Sequence, residues 1–343
     1  MDSIRIPQQL IGPVAITGEA ISDSIMVPLA TYETPLWPSC KRGAAVTARA
    51  GGIHATVVRD FMARSILLEA DSAAIANCEL RKIMAAKDEL AVVVAGSSRF
   101  ARLVDLHAQL TSRFIFLRIE VSTGDASGHN MVTLAADRAM GWLLERHPDL
   151  RYGSVSGNFC TDKKVSAVNS ILGRGKHVVA ESAIPAALLR RYLKTDAKAI
   201  VDLNLRKNLL GSMVAGSLAS GNAHFANMLL AFYLATGQDA ANIVEGSQGI
   251  TYAEDRDGDL YFSVTLPNII VGSVGNGKDL SETRENLELL GCLADRPAGE
   301  NARRLAAIAA AIVLCGELSL LAALTNPGEL MAAHQRFERA PKS

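Results

Sequence analysis

The stretch "LAVVVAGSSRFARLVDLHAQLTSRFIFLRIEVSTGDASGHNMVTLAADRAMGWLLERH", Leu90 to His147, decides how this chain is organised. Two periodicities alternate along it. Leu90–Gly96 is a short unbroken apolar run and predicts a buried strand. Ser98–Ser112 carries apolar residues at helical spacing and predicts a helix. Phe114–Ser122, "FIFLRIEVS", is rich in aromatic and branched residues and predicts another strand. "GDASGHN" is a turn, and Asn130–His147 is a strong amphipathic helix. "RYGSVS", Arg151–Ser156, predicts a further strand. Such alternation describes a compact α/β module with helices on one face of a sheet, beginning near residue 65 and ending near residue 155.

The texture outside this module differs. Thr195–Ser217 and Gly221–Val244 are each long enough for a helix, and Ile250–Pro267 reads as a hairpin around a Gly- and Asp-rich turn. The expected architecture is α+β. A large helix-rich domain, residues 1–65 and 155–325, surrounds a central buried helix. A small domain, residues 66–154, is inserted into it, and residues 326–343 form a C-terminal flap. "LAAIAAAIVLCGELSLLAAL", Leu305–Leu324, approaches the length of a bilayer span. Glu317 and the alanine content favour a buried central helix instead.

The chain has 343 residues, with 35 basic and 35 acidic side chains. Zero net charge argues against a protein held to nucleic acid by phosphate contacts, and against a basic membrane-surface protein. Five scattered cysteines without C-x-x-C spacing read as reduced thiols of a cytoplasmic protein. The first residues lack the basic and apolar regions of a signal peptide.

Several short stretches invite a chemical reading. "GSVGNGKD", Gly272–Asp279, nearly matches the loop G-x-x-x-x-G-K-[ST] that cradles phosphates. Asp279 stands where a hydroxyl should hold magnesium, which disfavours a nucleoside-triphosphate hydrolase. A plain glycine turn, or a loop that lets a ligand approach the backbone, both remain open. The glycines of "GDASGHN" precede a helix N-terminus, which suits a pyrophosphate, and Asp125 is placed to accept from a ribose hydroxyl. The alternative is a solvated turn. No G-x-G-x-x-G occurs in this module. "SGNFCTDKKVSAVN", Ser156–Asn169, sets Asp162 before Lys163 and Lys164. That is either solvated surface or a site where cations hold an acidic substrate and polarise a carbonyl. Lys207, Asn208, His224, Asn227 and Asp239 stand in apolar surroundings and need partners. Metal-type clusters are absent from the pattern.

Taken in order, these motifs resemble the catalytic part of the 3-hydroxy-3-methylglutaryl-coenzyme A reductases, class I-like, from about Ile11 to the end. "VSGNFCTDKK" resembles the family's catalytic loop. "GDASGHNM" resembles its D-A-M-G-M-N-M signature, and "GSVGNGK" its G-T-V-G-G-G-T. "KNLLGSMVAGS", "NAHFAN" and "GQDAAN" follow in order. The resemblance implies reduction of hydroxymethylglutaryl-coenzyme A to mevalonate and coenzyme A by two hydride transfers from NADPH. The reverse oxidation of mevalonate is the same chemistry, and the sequence leaves the direction open. It implies Lys163 as oxyanion stabiliser, Glu33 as general acid, Asp239 as the group tuning both, and His334 as proton donor to the departing thiolate. It also implies substrate contacts from Ser39, Arg42, Arg64, Ser156, Asn158, Asp162, Lys164, Lys207 and Asn227. The inserted domain is then a ferredoxin-like NADP(H)-binding domain. Its contacts are Ser98, Arg99, Asp125, Ala126, Gly128, His129, Asn130 and Met131. Gly272, Val274, Gly275, Gly277 and Lys278 approach from the larger domain. His129 and Lys278 replace uncharged family residues, and one of them is expected to favour the 2′-phosphate of NADP. Pro35 and Pro38 stiffen the segment after Glu33. The implied assembly is a homodimer or homotetramer with the active site between subunits, soluble, without metal, membrane or nucleic-acid partner.

Overall fold

The structure is a computed structural model that describes residues 4–337; the side chains of His334 and Phe337 lie outside the described set. Ten strands are β1 (Gln8–Thr17), β2 (Asp23–Ala30), β3 (Ile53–Glu69), β4 (Leu103–Thr111), β5 (Phe114–Val121), β6 (Arg151–Ser154), β7 (Gly175–Ile184), β8 (Ser220–Gly221), β9 (Gly249–Arg256) and β10 (Asp259–Ile269). The helices used below are α1 (Leu36–Arg49), α2 (Ala73–Ala85), α3 (Lys87–Ala95), α4 (His129–Arg146), α5 (Phe225–Ala235), α6 (Glu300–Leu324) and α7 (Glu329–Phe337).

The main path of the sheet runs β2-β1-β3-β7-β10-β9-β8. β3 is the strand that extends it. Residues His54–Phe61 pair antiparallel with β7, and Met62–Glu69 pair with β5. β4 adds to β5, and β6 to the far end of β3. One continuous strand therefore crosses position 65 without a break and serves two sheets. Two large apolar clusters follow. The larger packs β1, β2, α1, β7, α5 and β10 around α6. The smaller joins Met62, Ile66 and Leu68 of β3 to β5, α4 and Ile270.

α6 is long and apolar enough to cross a membrane by length and composition, but it is almost wholly buried inside the protein. Glu317 on it is fully buried and accepts from the N–H groups of Ala223 and His224 and from the Thr251 hydroxyl. The N–H groups entering α5 are thereby satisfied, since α5 has no side-chain cap of its own.

Three sequence expectations need correction. Leu90–Gly96 is not a strand but the end of α3. Leu90 and Val94, four apart, are its buried residues, and Asp88 and Glu89 occupy its first turn, where the helix dipole favours them. Packing on α4 overrides the strand preference of three consecutive valines. Ser98–Ser112 is not a helix: Leu103–Thr111 form β4, an edge strand paired with β5 alone. With one partner, it lacks the clean alternation that marks a half-buried strand. The large region is also richer in strands than expected, since β1, β2 and β7 contribute most of its sheet. The segment at 195–217 is helical as expected, but Asn204–Gly211 winds as a π-helix, a form often found at functional sites.

α1 crosses α6 with backbones in contact. A Cβ on Gly43 would lie 2.0 Å from the Cys315 carbonyl oxygen, whereas one on Gly141, in the middle of α4, would meet nothing within 4 Å. Gly43→Ala should therefore destabilise the protein by roughly 3 kcal/mol, through forced separation of two core helices. Gly141→Ala should stabilise it by about 0.5–1 kcal/mol. Urea unfolding midpoints of the two variants test both signs.

Candidate active site

The lysine singled out in the sequence is held at both ends. Lys163 Nζ lies 2.8 Å from Asp239 Oδ2. Its backbone N–H donates to Glu245 Oε1 at 3.1 Å. Lys163 has φ +55°, and Asn158 and Thr161 on the same loop also lie in the left-handed region, at +61° and +48°. Three non-glycine residues so placed within six positions mark a loop held by its surroundings. The holders are buried. Arg118, fully buried, donates to Asn169 Oδ1 at 2.9 Å and to the Phe159 carbonyl at 3.3 Å, and also to Gly173. Asn169 donates onward to the Thr161 carbonyl at 3.0 Å. At the loop's start, Gly157 N–H pairs with the Ser65 carbonyl of β3 at 2.8 Å.

Charge accumulates behind Lys163. Arg174, fully buried, bridges Glu245 Oε1 at 2.8 Å and Asp162 Oδ1 at 3.0 Å. Arg64 Nη1 approaches Asp162 Oδ2 at 3.8 Å, and Arg64 also donates to Thr133 of α4 at 2.8 Å. The hydrogen bond from Lys163 to Asp239 raises the lysine pKa and keeps the ammonium charged. Burial alone pushes the Asp239 carboxyl up, but Lys163 and the Ala241 N–H outweigh it and hold it below the usual value. Lys164 turns its ammonium back to the Asp162 carbonyl at 3.0 Å. Ser156 Oγ faces the buried Cys160 thiol at 3.8 Å.

The two glycine-bearing turns meet beside this loop. Ala126 and Val274 form a parallel bridge, and a Cβ on Gly272 would lie 2.4 Å from the Ser127 nitrogen. The Gln238 amide donates to the Gly272 carbonyl at 3.1 Å and accepts from its N–H at 3.0 Å, tying the loop to Asp239's neighbour. A Cβ on Gly275, at φ +104°, would meet only open space, so that exposed part of the loop leaves its backbone accessible. Gly128 precedes α4 at φ +93°, and the helix has no side-chain cap and no acid in its first turn. Its free N–H groups, beginning near Asn130, suit an anion. Phe100 packs on Gly124, which brings Ser98 and the exposed Arg99 to the same edge. Met131 packs against the smaller core.

Three expectations about these turns change. One Asp125 oxygen accepts from the Ala302 N–H of α6 at 2.9 Å, so it caps that helix as well as lining the turn. Lys278 is buried; its ammonium bonds to the Gly237 and Asn276 carbonyls, and burial lowers its pKa to about 8. It is turned inward and is not offered to a phosphate, which also removes the resemblance to a nucleotide-hydrolase loop. Burial, aided by Arg174, lowers the pKa of His129 to about 4, so it is a neutral imidazole at pH 7. Its Nε2 lies 3.8 Å from Asp162 Oδ1. Neither residue presents an exposed cation to a 2′-phosphate.

A second group gathers elsewhere. Glu33, Ser39, Arg42, His224 and Asn227 line a cavity of about 620 Å³ closed on one side by α7. Ser39 and Arg42 both bond to Ser319 of α6, and Arg42 also pairs with Glu329 at the start of α7. His224 Nε2 meets the Gly316 carbonyl at 3.0 Å, and Asn227 approaches its other nitrogen at 3.4 Å. Lys207 is exposed on the π-helix, 3.3 Å from Asn208 Oδ1, which continues through Asn204 to the Thr251 carbonyl. None of Lys163, Asp162 and Asp239 lines this cavity. The backbone of His334 lies in α7, but its side chain lies outside the described residues. No metal-type cluster of His, Cys, Asp or Glu occurs among the described residues.

Sequence reasoning missed Arg118, Arg174, Gln238 and Glu245. An arginine in "GRGKH" and an acid in the apolar run "NIVEGSQGI" each require a buried partner, and that was the available signal.

The His129 shift has a testable consequence. The unfolded chain binds this proton near pH 6.5, the folded chain only near 4. Stability should therefore fall as pH drops from 6.5 to 4, because the unfolded state then holds more protons. His129→Met should lose that part of the slope. Denaturation midpoints of both proteins across this range provide the measurement.

The model of the family described as hydroxymethylglutaryl-coenzyme A reductase matches residues 2–339. A 3-hydroxy-3-methylglutaryl-coenzyme A reductase of Aeropyrum pernix is 44% identical over 98% of this chain and 80% of its own length. One from Pyrococcus horikoshii is 42% identical over 98% and 82%. A class II 3-hydroxy-3-methylglutaryl-CoA reductase from Streptococcus pneumoniae, solved bound to NADPH in open conformations, shares the mixed α+β fold. Its TM-score is 0.75 at 22% identity, over 95% of this chain and 86% of that one. With near-complete coverage by both the family model and relatives above 40% identity, this chain belongs to the hydroxymethylglutaryl-coenzyme A reductase family.

Proposed function

We propose that this protein reduces the thioester of 3-hydroxy-3-methylglutaryl-coenzyme A to the primary alcohol of mevalonate, releasing coenzyme A. The observation that carries the reading is the Lys163–Asp239 contact of 2.8 Å beside two glycine turns that leave backbone N–H groups exposed. When bound, NADPH supplies a hydride to the carbonyl carbon in each of two reductions. As negative charge builds on the carbonyl oxygen, the Lys163 ammonium donates to it, and Asp239 keeps that ammonium protonated. Glu33 delivers a proton to the oxygen. After the first reduction the hydroxyl proton returns to Glu33 as the C=O bond re-forms and the C–S bond breaks, its electrons leave on the coenzyme A thiolate, and His334 protonates that sulfur. The second reduction converts the aldehyde to the alcohol. Arg64, Asp162 and Lys164 hold the hydroxymethylglutaryl group, with Ser156 and Asn158 as neutral donors. Gly128, Asn130, Gly275 and Gly277 supply close backbone to the dinucleotide, with Ser98 and Arg99 at its rim. In this reading residues 66–154 form the ferredoxin-like NADP(H) domain, residues 1–65 and 155–325 the substrate domain, and residues 326–343 the flap, of which 1–3 and 338–343 lie outside the described residues.

The separation of Glu33 from Lys163 supports an assembly in which a second copy completes the site. Exposed apolar side chains surround the lysine end: Val165, Ile171, Val244, and Met213 and Val214, 74% and 89% exposed, beyond the π-helix. The sheet there ends in β8, only two residues long, beside Ile250 and Tyr252. Exposed apolar side chains together with a short edge strand favour a partner. Ser39, Arg42, Lys207, His224 and Asn227 would then face the lysine loop of the other subunit.

Two NADPH should be oxidised per acyl-CoA consumed, followed by absorbance, and Lys163→Ala should lower kcat by at least about 10²–10³-fold. One NADPH per substrate rejects the scheme. Mixing and reassembling inactive Glu33→Gln and Lys163→Ala proteins should restore up to about a quarter of the sites, because a two-fold mixed dimer rebuilds one intact site. No recovery rejects the shared site.

A further inference from the structure

Glu245 is fully buried, yet no catalytic or substrate role falls to it in the proposed mechanism. Three donors converge on its Oε1: the Lys163 N–H at 3.1 Å, Arg174 Nη1 at 2.8 Å and Asn242 Nδ2 at 3.0 Å. A buried carboxylate oxygen so saturated is costly to desolvate and is retained where it orders its surroundings. Six residues upstream on the same segment, Asp239 holds the other end of the same lysine.

We infer that Glu245 is a positioning residue for Lys163, gripping the root of the side chain while Asp239 grips its ammonium. This rests on the reading of Lys163 as the oxyanion donor. A lysine has four rotatable bonds above its backbone, so a contact at the tip alone leaves the ammonium free to swing. Fixing the amide as well defines where the tip can reach. The amide bond to Glu245 also selects the left-handed backbone at Lys163, φ +55°, which directs the side chain differently from an ordinary strand or helix residue. The third strand of the device is Arg174. Its Nη1 joins Glu245 to Asp162, at 2.8 and 3.0 Å, so one guanidinium sets the oxyanion-binding lysine and the substrate-holding aspartate in register. Asn242 braces Glu245 from within the short helical turn that Asp239 caps. Segment 239–245 is thus a rigid gauge pressed against the lysine loop.

The test compares wild type, Glu245→Gln and Glu245→Ala with hydroxymethylglutaryl-CoA and NADPH. NADPH-binding sites are titrated by fluorescence, so kcat is expressed per competent site. Removal of the carboxyl group in Glu245→Ala should lower kcat by about 10²-fold, the effect of a misplacement near 1 Å. Glu245→Gln keeps an acceptor for the Lys163 N–H but loses the charge-assisted bonds, and should lower kcat by about tenfold. In both, the dissociation constant for NADPH should stay within about twofold of wild type, because the dinucleotide's glycine turns do not touch Glu245. Should the alanine variant fail to fold, the glutamine variant decides. A glutamine variant with wild-type kcat per site overturns the inference. So does a parallel fall in kcat and NADPH affinity, which marks general loosening. Wild type that oxidises no NADPH with this acyl-CoA overturns the proposed reaction, and this inference with it.

Discussion

The molecule hangs on β3. Its 17 residues pair with the large sheet through their first half and with the smaller one through their second. Its backbone groups pass from β7 to β5 between Phe61 and Met62 without leaving a strand partner, so the two apolar clusters are joined through one continuous paired strand. The lysine loop and its buried holders are tied to this strand's far half. Arg64 projects toward Asp162, the Ser65 carbonyl anchors Gly157, and the Ala63 carbonyl lies 3.5 Å from Arg174. A loop rich in left-handed residues is thereby fastened to the strand that joins the two sheets.

What fastens it is largely ionic and buried. Arg118, Arg174 and Glu245 are each removed from solvent, which is expensive for charged groups. Burial pushes the Glu245 carboxyl up in pKa, against the opposing pull of Arg174, the Lys163 N–H and Asn242. Apolar replacements would fill the same space with less desolvation, but they would offer nothing to the loop's carbonyls and N–H groups. Placement, more than stability, is what these ions contribute.

The glycine turns obey a steric rule. Gly272 and Gly237 stand where a neighbouring backbone comes too close for any Cβ. Their contacts bring the two glycine-bearing turns, the Asp239 turn and Lys278 together. Lys278 shows the consequence: a cation that reads as a phosphate ligand along the sequence serves instead to satisfy a buried carbonyl.

Much of this was legible before any coordinates. The order of "VSGNFCTDKK", "GDASGHNM" and "GQDAAN" made the family resemblance legible, and that resemblance implied that Asp239 tunes Lys163. The buried helix at Leu305–Leu324 was legible because unbroken apolar character with one acid is read directly from composition. Tertiary structure alone decided the rest. Leu90–Gly96 became helical because its partner was another helix, and Leu103–Thr111 became a strand because an edge position relaxes the alternation that reveals strands. Burial made His129 neutral and turned the Lys278 ammonium inward, and the importance of Arg174 and Glu245 came from contacts 71 residues apart. Desolvation and long-range pairing depend on what surrounds a side chain, and local sequence carries no direct record of that.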